Sequence, residues 1–164
     1  MPAQKSPVEV LIVAVTETAG SALYGMLDVL MAAGNIWQTL VHSETPQQLF
    51  NVRIVSTQKR AFTCGNNIPV NPDCSIKDDP DAGIVILPEL WLGPDEDIKG
   101  RYPALMNWIR RRYKAGTTLY SACSGAIMLA ESGLLDGCQA TSHWGYQDLF
   151  HKQYPKVRFR PEPN

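Results

Sequence analysis

Residues 116–131, with the sequence GTTLYSACSGAIMLAE, decide the fold. The first part, Gly116 to Tyr120, is short and β-prone, and the last part, Ala126 to Glu131, contains helix formers with an apolar face. Small residues surround Cys123 between the two parts. The pattern predicts a buried strand, a sharp turn and a helix, with the cysteine on the turn at the carboxyl end of a sheet. The first NH groups of that helix favour a thiolate there.

Predicted strands and helices alternate along the chain. Apolar patterns predict strands at residues 8–15, 50–56, 81–88, 138–142 and 157–160, and helices around residues 23–30, 103–116 and 144–151. The segment 63–80 is rich in Asn, Asp and Pro and is predicted to be mostly loop, with room for a short hairpin or edge strand around 61–70. This alternation indicates an α/β fold with a mostly parallel sheet, helices on both faces and ligands beyond the carboxyl ends of the strands.

The composition is that of a globular protein. A chain of 164 residues with 45% hydrophobic and 19% charged residues fits a single domain that buries a core. Its net charge of −1 gives it no general attraction for nucleic acid or anionic lipid. The longest apolar stretch, Val10 to Val15, is too short to span a bilayer, and no signal-like segment follows Met1. We therefore expect a cytoplasmic protein with no membrane contact.

The cysteines and histidines form neither a disulfide framework nor a zinc pattern. They show no CxxC motif and no regular spacing, and are Cys64, Cys74, Cys123, Cys138, His42, His143 and His151. We expect reduced thiols, no metal and no cofactor. Only Cys123 has a context that favours reactivity, and the other three cysteines are expected to be small hydrophobic residues in the core or in loops.

His143 is the candidate partner of Cys123. It follows the predicted strand at 138–142, and if that strand lies beside the strand before Cys123, both side chains reach one rim of the sheet. A thiol and an imidazole within hydrogen-bond reach form a nucleophile and base pair. Asp148 and Glu89 are both candidates for a third group that orients the imidazole. In the alternative interpretation, His143 is a buried cap of a helix amino end and Cys123 a packing residue.

Three segments carry a resemblance to a known family. LYSACSGA (119–126), LAESGLLDG (129–137) and ATSHW (140–144) closely resemble the PfpI-like, class I glutamine-amidotransferase-like superfamily. More narrowly, the chain resembles the amino-terminal domain of GlxA-type transcriptional regulators of the AraC family, with which residues 28–34, 87–88 and 102–109 also agree. The resemblance implies a flavodoxin-like, doubly wound fold that is often dimeric. It also implies that residues 1–164 are one domain, incomplete at its carboxyl end, with a helix-turn-helix DNA-binding domain expected beyond it.

The resemblance also implies roles for single residues. In the enzymes of the superfamily, the cysteine that matches Cys123 is the nucleophile and the histidine that matches His143 is its partner. Two departures speak against catalysis: Ser124 stands where the proteases have a histidine, and Glu89 follows Pro88 where many members have a glycine whose amide helps form an oxyanion hole. A carboxylate there would oppose an anionic ligand. Glu17 lies where superfamily members often have a carboxylate that contacts the cysteine, although it also suits a solvated loop acid.

We therefore expect the ligand-sensing, dimerising domain of a transcriptional regulator. A small-molecule effector would bind at the turn around Cys123, and the homodimer would reach DNA only through the absent domain. The residues expected at the pocket are Glu17, Pro88, Glu89, Cys123, Ser124, His143 and Trp144. Alternatives are a cysteine-dependent hydrolase or hydratase, isonitrile-hydratase-like or amidase-like, in which Cys123 attacks carbon and His143 handles protons, and an oxidation sensor.

Two further features have simpler interpretations. The cationic run Arg110 to Arg112, with Lys114, falls largely on the solvated side of the predicted helix, so we do not expect it to bind nucleic acid. Trp91 and Trp144 lie near the predicted rim, where each suits either a pocket wall or a packing role.

Overall fold

The computed structural model describes residues 6–41, 45–93 and 96–161. The strands are β1 (Val8–Val13), β2 (Phe50–Ser56), β3 (Phe62–Cys64), β4 (Ile68–Val70), β5 (Cys74–Ser75), β6 (Ile84–Leu87), β7 (Thr118–Ser121), β8 (Gln139–Ala140) and β9 (Arg158–Phe159). The helices are α1 (Gly20–Ala32), α2 (Ile36–Val41), α3 (Pro103–Lys114), α4 (Ala126–Glu131) and α5 (Gln147–Gln153). His42 lies outside the described residues. No helix within the described ranges is long and apolar enough to cross a membrane.

A five-stranded parallel sheet organises the molecule. Its order is β5-β2-β1-β6-β7, so β1 lies at the centre. Helix α1 packs Leu23 on one face of the sheet, whereas α3, α4 and α5 pack on the other face through Leu105, Ile127 and Phe150. The arrangement confirms the predicted α/β, flavodoxin-like fold with helices on both faces.

The central strand explains why its sequence is a continuous apolar run. Val10 and Ile12 belong to the core cluster under α1, and Leu11 and Val13 belong to the cluster on the opposite face. All four side chains are fully buried. A strand that is covered on both faces cannot alternate polar and apolar residues, and this distinguishes interior parallel strands from half-exposed ones.

The segment after β2 is more ordered than its composition indicates. β3 and β4 form an antiparallel hairpin where the sequence suggested a short hairpin around residues 61–70. Asn66 and Asn67 at its tip both have positive φ angles, as a tight hairpin turn requires. β5, a two-residue edge strand paired with the end of β2, lies where only loop was predicted.

The strand predicted at 138–142 is shorter and lies elsewhere than expected. β8 pairs in parallel with β9 in a separate two-stranded sheet, so the prediction that it lies beside the strand before Cys123 is wrong. Its backbone is already engaged by the end of the described chain: the amide of Arg158 donates to Cys138 O at 2.9 Å and that of Arg160 to Ala140 O at 2.8 Å.

Two arginines of the cationic run on α3 pair with carboxylates of their own chain. Arg112, whose side chain is 12% exposed, contacts Asp79 and Asp81 at 3.3 and 3.0 Å. Arg111 contacts Asp79 at 3.1 Å. These pairs join the end of α3 to the loop before β6.

Candidate functional site

Cys123 lies on a strained turn between β7 and α4. β7 ends at Ser121, which pairs with Leu87 at the end of β6. Cys123 is exposed and has a φ angle of +50°. That left-handed conformation costs a residue with a side chain about 1–2 kcal/mol, and such outliers cluster at functional sites. The geometry therefore marks the turn as a candidate site.

Gly125 allows this turn to pack directly on the end of β6. A Cβ atom at this position would lie 2.1 Å from the carbonyl oxygen of Leu87 and 2.8 Å from that of Pro88. Both distances are shorter than a non-bonded contact permits, and both partners are backbone atoms. Glycine is therefore required here because the turn and the Leu87–Pro88 strand end approach so closely.

Ser124 fastens the turn to the loop that follows β6. Its side chain is fully buried. The hydroxyl donates to Leu90 O at 2.7 Å and accepts from Leu90 N at 2.8 Å. Both hydrogen bonds of the hydroxyl thus go to the backbone of Leu90, and Ser124 holds the loop that forms one wall of the pocket.

Glu89 is the side chain that contacts the thiol. It follows Pro88, which is buried at the end of β6, and is itself half-buried. Its Oε1 atom lies 3.9 Å from Cys123 Sγ, within reach of a weak hydrogen bond donated by the thiol. A carboxylate at this point repels a thiolate and accepts a proton or a cation.

His143 lies beside the turn but is not paired with the thiol. Its Nδ1 accepts a hydrogen bond from Gly145 N at 3.1 Å, so the imidazole caps the short turn Trp144–Tyr146. This geometry places the ring proton on Nε2. Among the described residues, no hydrogen bond joins His143 to Cys123. The contact with the Cys123 turn comes instead from Ser142, whose hydroxyl donates to Cys123 O at 3.0 Å.

The group that orients the imidazole of His143 through Nδ1 is a backbone amide, that of Gly145. Asp148, in the first turn of α5, is exposed. Glu89 contacts the thiol rather than the imidazole. Trp144 stacks near the His143 ring, with centroids 5.2 Å apart, but is itself 72% exposed. His143 therefore has the geometry of the capping interpretation, although its ring is exposed and not buried.

A cavity of about 480 Å³ opens next to the Cys123 turn. It is lined by Glu89, Trp91, Leu92, Gly93, His143 and Tyr146. The volume lies in the range of small-molecule sites, and a few polar groups among aromatic and apolar walls are typical of them. The phenol of Tyr146 lies 3.3 Å from Leu92 O and 3.4 Å from Leu90 O, so it braces the same loop that Ser124 holds.

Tyr146, Leu92 and Gly93 are wall residues that the sequence did not indicate. Nothing in their local pattern distinguishes them, and Leu92 and Tyr146 meet through a contact between segments 54 residues apart. Trp91 and His143 are wall residues that the sequence did suggest. Cys123 is not among the lining residues, and its thiol contacts one of them, Glu89.

Glu17 belongs to a separate polar cluster at the same rim. Its carboxylate accepts hydrogen bonds from Tyr102 Oη at 2.6 Å, from Thr16 Oγ1 at 3.0 Å and from Arg101. Partial burial by itself would raise the pKa of Glu17, but the hydrogen bonds from Tyr102 and Arg101 outweigh it and hold the pKa below its ordinary value. Within the described residues, its hydrogen bonds thus go to the start of α3 and not to the thiol.

Backbone hydrogen bonds connect the two rim loops. Ala19 N donates to Glu89 O at 2.8 Å, and Trp91 N donates to Glu17 O at 2.7 Å. Thr18 and Leu90 form an antiparallel bridge between them. Within the ranges given above, no group of three or more His, Cys, Asp or Glu side chains is placed to hold a metal ion.

Known proteins share both the sequence pattern and the fold. The chain is 29% identical over 114 residues to the HTH-type transcriptional regulator CdhR of Pseudomonas aeruginosa, covering 70% of this chain and 33% of CdhR. It is 29% identical over 91 residues to isonitrile hydratase of Pseudomonas putida, covering 53% of this chain and 37% of that enzyme. The chain thus spans about a third of the length of these relatives.

A solved structure shows the same fold at low identity. The AraC family transcriptional regulator from Pseudomonas putida superposes with a TM-score of 0.67 at 16% identity, over 95% of this chain and 77% of that one. The sequence profile of the DJ-1/PfpI family matches residues 10–157, which include most of the sheet, the Cys123 turn and His143. The chain therefore belongs to the DJ-1/PfpI family.

Proposed function

We propose that the chain is the ligand-sensing, dimerising domain of a transcriptional regulator, with its effector bound in the cavity beside Cys123. The observation that carries the proposal is the arrangement of side chains around the Cys123 thiol. A carboxylate contacts the thiol, and the imidazole uses Nδ1 to cap a turn. This arrangement suits binding better than nucleophilic attack. Similarity to CdhR supports a regulatory role, in which DNA is bound by a helix-turn-helix domain outside this chain.

The lining of the cavity defines the chemistry of the effector. Glu89 is the one acidic side chain among the described lining residues, and Trp91, Tyr146 and His143 supply ring faces. A carboxylate attracts cations and hydrogen-bond donors and repels anions, and aromatic faces attract cations and apolar groups. The expected effector is a small cationic or neutral molecule with an apolar part.

Three probes of equal size test this charge preference: benzylamine, benzamide and benzoate. Thermal unfolding of the chain is measured with each. Benzylamine, as its ammonium, is expected to raise Tm most and benzoate least, since a ligand at 100 times its Kd stabilises by about 2.7 kcal/mol. Glu89→Gln should weaken benzylamine binding at least about tenfold by the loss of its charge partner.

The matched control is Glu9→Gln, near the amino end of the central strand β1 and so at the end of the sheet opposite the cavity. It should leave benzylamine binding unchanged. No Tm increase with any of the three probes, a preference for benzoate, or equal loss of binding in both variants would contradict the proposal.

A cysteine-dependent hydratase or hydrolase is the second candidate. Two observations favour it: Cys123 is exposed on a strained turn, and the chain is similar to isonitrile hydratase. In this function Cys123 attacks an electrophilic carbon and His143 handles protons. For Nε2 to take the thiol proton, the ring would first have to give up the hydrogen bond from Gly145 N to Nδ1, which holds it in the tautomer with its proton on Nε2.

A further inference from the structure

His143 supplies the one side chain of the described cavity lining that changes charge near neutral pH. Histidine gains or loses its proton between about pH 5 and 8, whereas carboxylates and alkylammonium groups keep their charges there. The described lining contains Glu89 and His143 but neither lysine nor arginine. The lining therefore carries a net negative charge while the imidazole is neutral, and a protonated imidazole cancels that charge.

The hydrogen bond at Nδ1 shows which form of the ring fits the structure. Nδ1 of His143 accepts from Gly145 N at 3.1 Å. A neutral imidazole has one acceptor nitrogen, whereas both nitrogens of an imidazolium are donors. Protonation of Nδ1 would bring two N–H groups against each other and leave the Gly145 amide without its acceptor. The cap is therefore available only to the neutral ring.

Gly145 allows this close contact between the ring and the backbone. A Cβ atom at residue 145 would lie 3.1 Å from Nδ1 and 3.4 Å from Cε1 of His143. The first distance is shorter than an ordinary van der Waals contact. The backbone of His143 is extended, with φ −60° and ψ 132°, as is usual for a residue that caps the helical turn after it. The absence of a side chain at residue 145 thus lets the imidazole reach the amide.

The capped turn holds one wall of the cavity. The turn Trp144–Tyr146 carries the Tyr146 phenol, to which Leu92 N donates at 3.4 Å. The same phenol lies 3.4 Å from Leu90 O and 3.3 Å from Leu92 O. Glu89 precedes Leu90 on that loop and lines the cavity. Loss of the cap therefore loosens the loop that carries the Glu89 carboxylate.

The titratable groups around the ring come from three elements. Glu89, on the loop after β6, lines the same cavity as His143 and contacts the thiol of Cys123. On the turn that His143 caps, the ring centroid of Tyr146 lies 6.2 Å from that of the imidazole. Helix α5 has Asp148 in its first turn, and its basic side chains lie in its last turn, at the other end: His151 and Lys152. In the part of the chain that the structure describes, Glu89 is thus the charged group with which an imidazolium shares the cavity.

We propose that His143 is a proton-dependent selectivity residue of the cavity. The neutral ring leaves the charge of Glu89 to attract a cation, whereas the protonated ring cancels that charge and releases the cap. A cationic ligand and the proton therefore weaken each other's binding by the same factor. As pH falls from about 8 to about 5.5, the preference for a cation over a neutral ligand of the same size should disappear. This inference rests on the proposed effector site and names how that site is regulated.

NMR spectra of the ligand-free chain test the cap without any effector. The ring nitrogens of His143 and the amide of Gly145 should change their chemical shifts together between about pH 8 and 5.5. In His143→Gln the Gly145 amide should no longer change. The matched control is His151→Gln, at an exposed position in the last turn of α5, which should behave like wild type. A Gly145 amide that stays constant while the His143 ring titrates would overturn the inference.

Calorimetric titration with benzylamine and benzamide tests the selectivity. The two probes have the same size, and benzylamine stays an ammonium across this pH range. In wild type and His151→Gln, the ratio of benzylamine affinity to benzamide affinity should fall at least about tenfold from about pH 8 to 5.5. In His143→Gln the ratio should change by less than about threefold, because no side chain of the described lining then gains a positive charge.

The outcomes separate this role of His143 from the effector site itself. Absence of binding of either probe at about pH 8 would contradict the proposed effector site. Binding of benzylamine at that pH, with an affinity ratio that is unchanged on acidification, would leave the effector site standing and overturn the selectivity role. An equal fall of the ratio in wild type and His143→Gln would overturn it as well.

Discussion

At the scale of single residues, three consecutive positions, Cys123 to Gly125, each meet a different structural requirement of the turn. Cys123 adopts a left-handed backbone conformation. The absence of a side chain at Gly125 allows the turn to contact the end of β6, and the Ser124 hydroxyl donates a hydrogen bond to Leu90 O. The result is a thiol held next to Glu89 at the mouth of a cavity. Strain of this kind persists only where the surrounding structure fixes it.

Replacement of Gly125 tests how tightly this turn is fixed. Gly125→Ala should lower the free energy of unfolding by at least about 3 kcal/mol, because the methyl group would overlap the Leu87 and Pro88 carbonyl oxygens. Chemical denaturation measures the change.

The control is Gly83→Ala, where an added methyl group meets nothing closer than 3.4 Å. Its effect should stay below about 1 kcal/mol. Equal effects of the two substitutions would show that the turn relaxes and is not held against β6.

Part of this site could be predicted from the sequence, and part could not. The small residues around Cys123 indicate the turn, because each lies within a short local pattern. The partners of Ser124 and Tyr146 lie 34 and more than 50 residues away, and no local pattern shows them. For the same reason, the carboxylate next to the thiol could be assigned to Glu89 rather than Glu17 only from the structure.

At the scale of elements, the rim is a set of loops connected by hydrogen bonds. The loop after β1 is joined to the loop after β6 through Ala19 and Trp91, and to the start of α3 through Glu17. The carboxylate of Glu17 therefore links the loop after β1 to the start of α3, and its ionisation state should affect the stability of the rim.

The pKa of Glu17 predicts how this link responds to pH. Because the folded-state pKa lies below the ordinary value of 4.5, the carboxylate stabilises the fold above that value and loses its effect as pH falls through the folded pKa. Glu17→Gln should therefore cost about 1–2 kcal/mol at pH 7. The difference from wild type should shrink below about pH 4.

Urea unfolding of both proteins between pH 3 and 7 measures this dependence. Glu9→Gln, which removes a more exposed carboxylate paired with Arg53, should cost less than about 1 kcal/mol at pH 7. A penalty for Glu17→Gln that is the same at pH 3 and pH 7 would refute the role assigned to its charge.

The elements themselves were predictable to different degrees. The long apolar strands and the helix from Pro103 follow from periodicity, because burial on one or two faces sets the pattern. β5 was missed because two residues are too few to show a period. α2 was missed because its six residues, of which four are apolar, are too few to show a helical period and present no buried face. The place of β8 was wrong because pairing with β9 depends on contacts between distant segments.

At the scale of the whole molecule, the parallel sheet brings the Cys123 turn, the cavity and the connected loops to one end of its strands. The cavity lies at the carboxyl ends of the strands, where parallel sheets place their ligands. Helix α1 begins at the same rim, directly after Ala19, and covers one face of the sheet. This layout places the proposed effector site on the loops that the rim hydrogen bonds connect.

The proposed sensing role predicts that ligands leave the site chemically unchanged. The wild-type chain and Cys123→Ser are incubated with an alkyl isonitrile and, separately, with benzamide, and the products are measured by mass spectrometry. Equal, uncatalysed amounts of N-alkylformamide and benzoate with both proteins are the expected result. Product formed faster by wild type than by Cys123→Ser would contradict sensing and establish the cysteine-dependent enzyme.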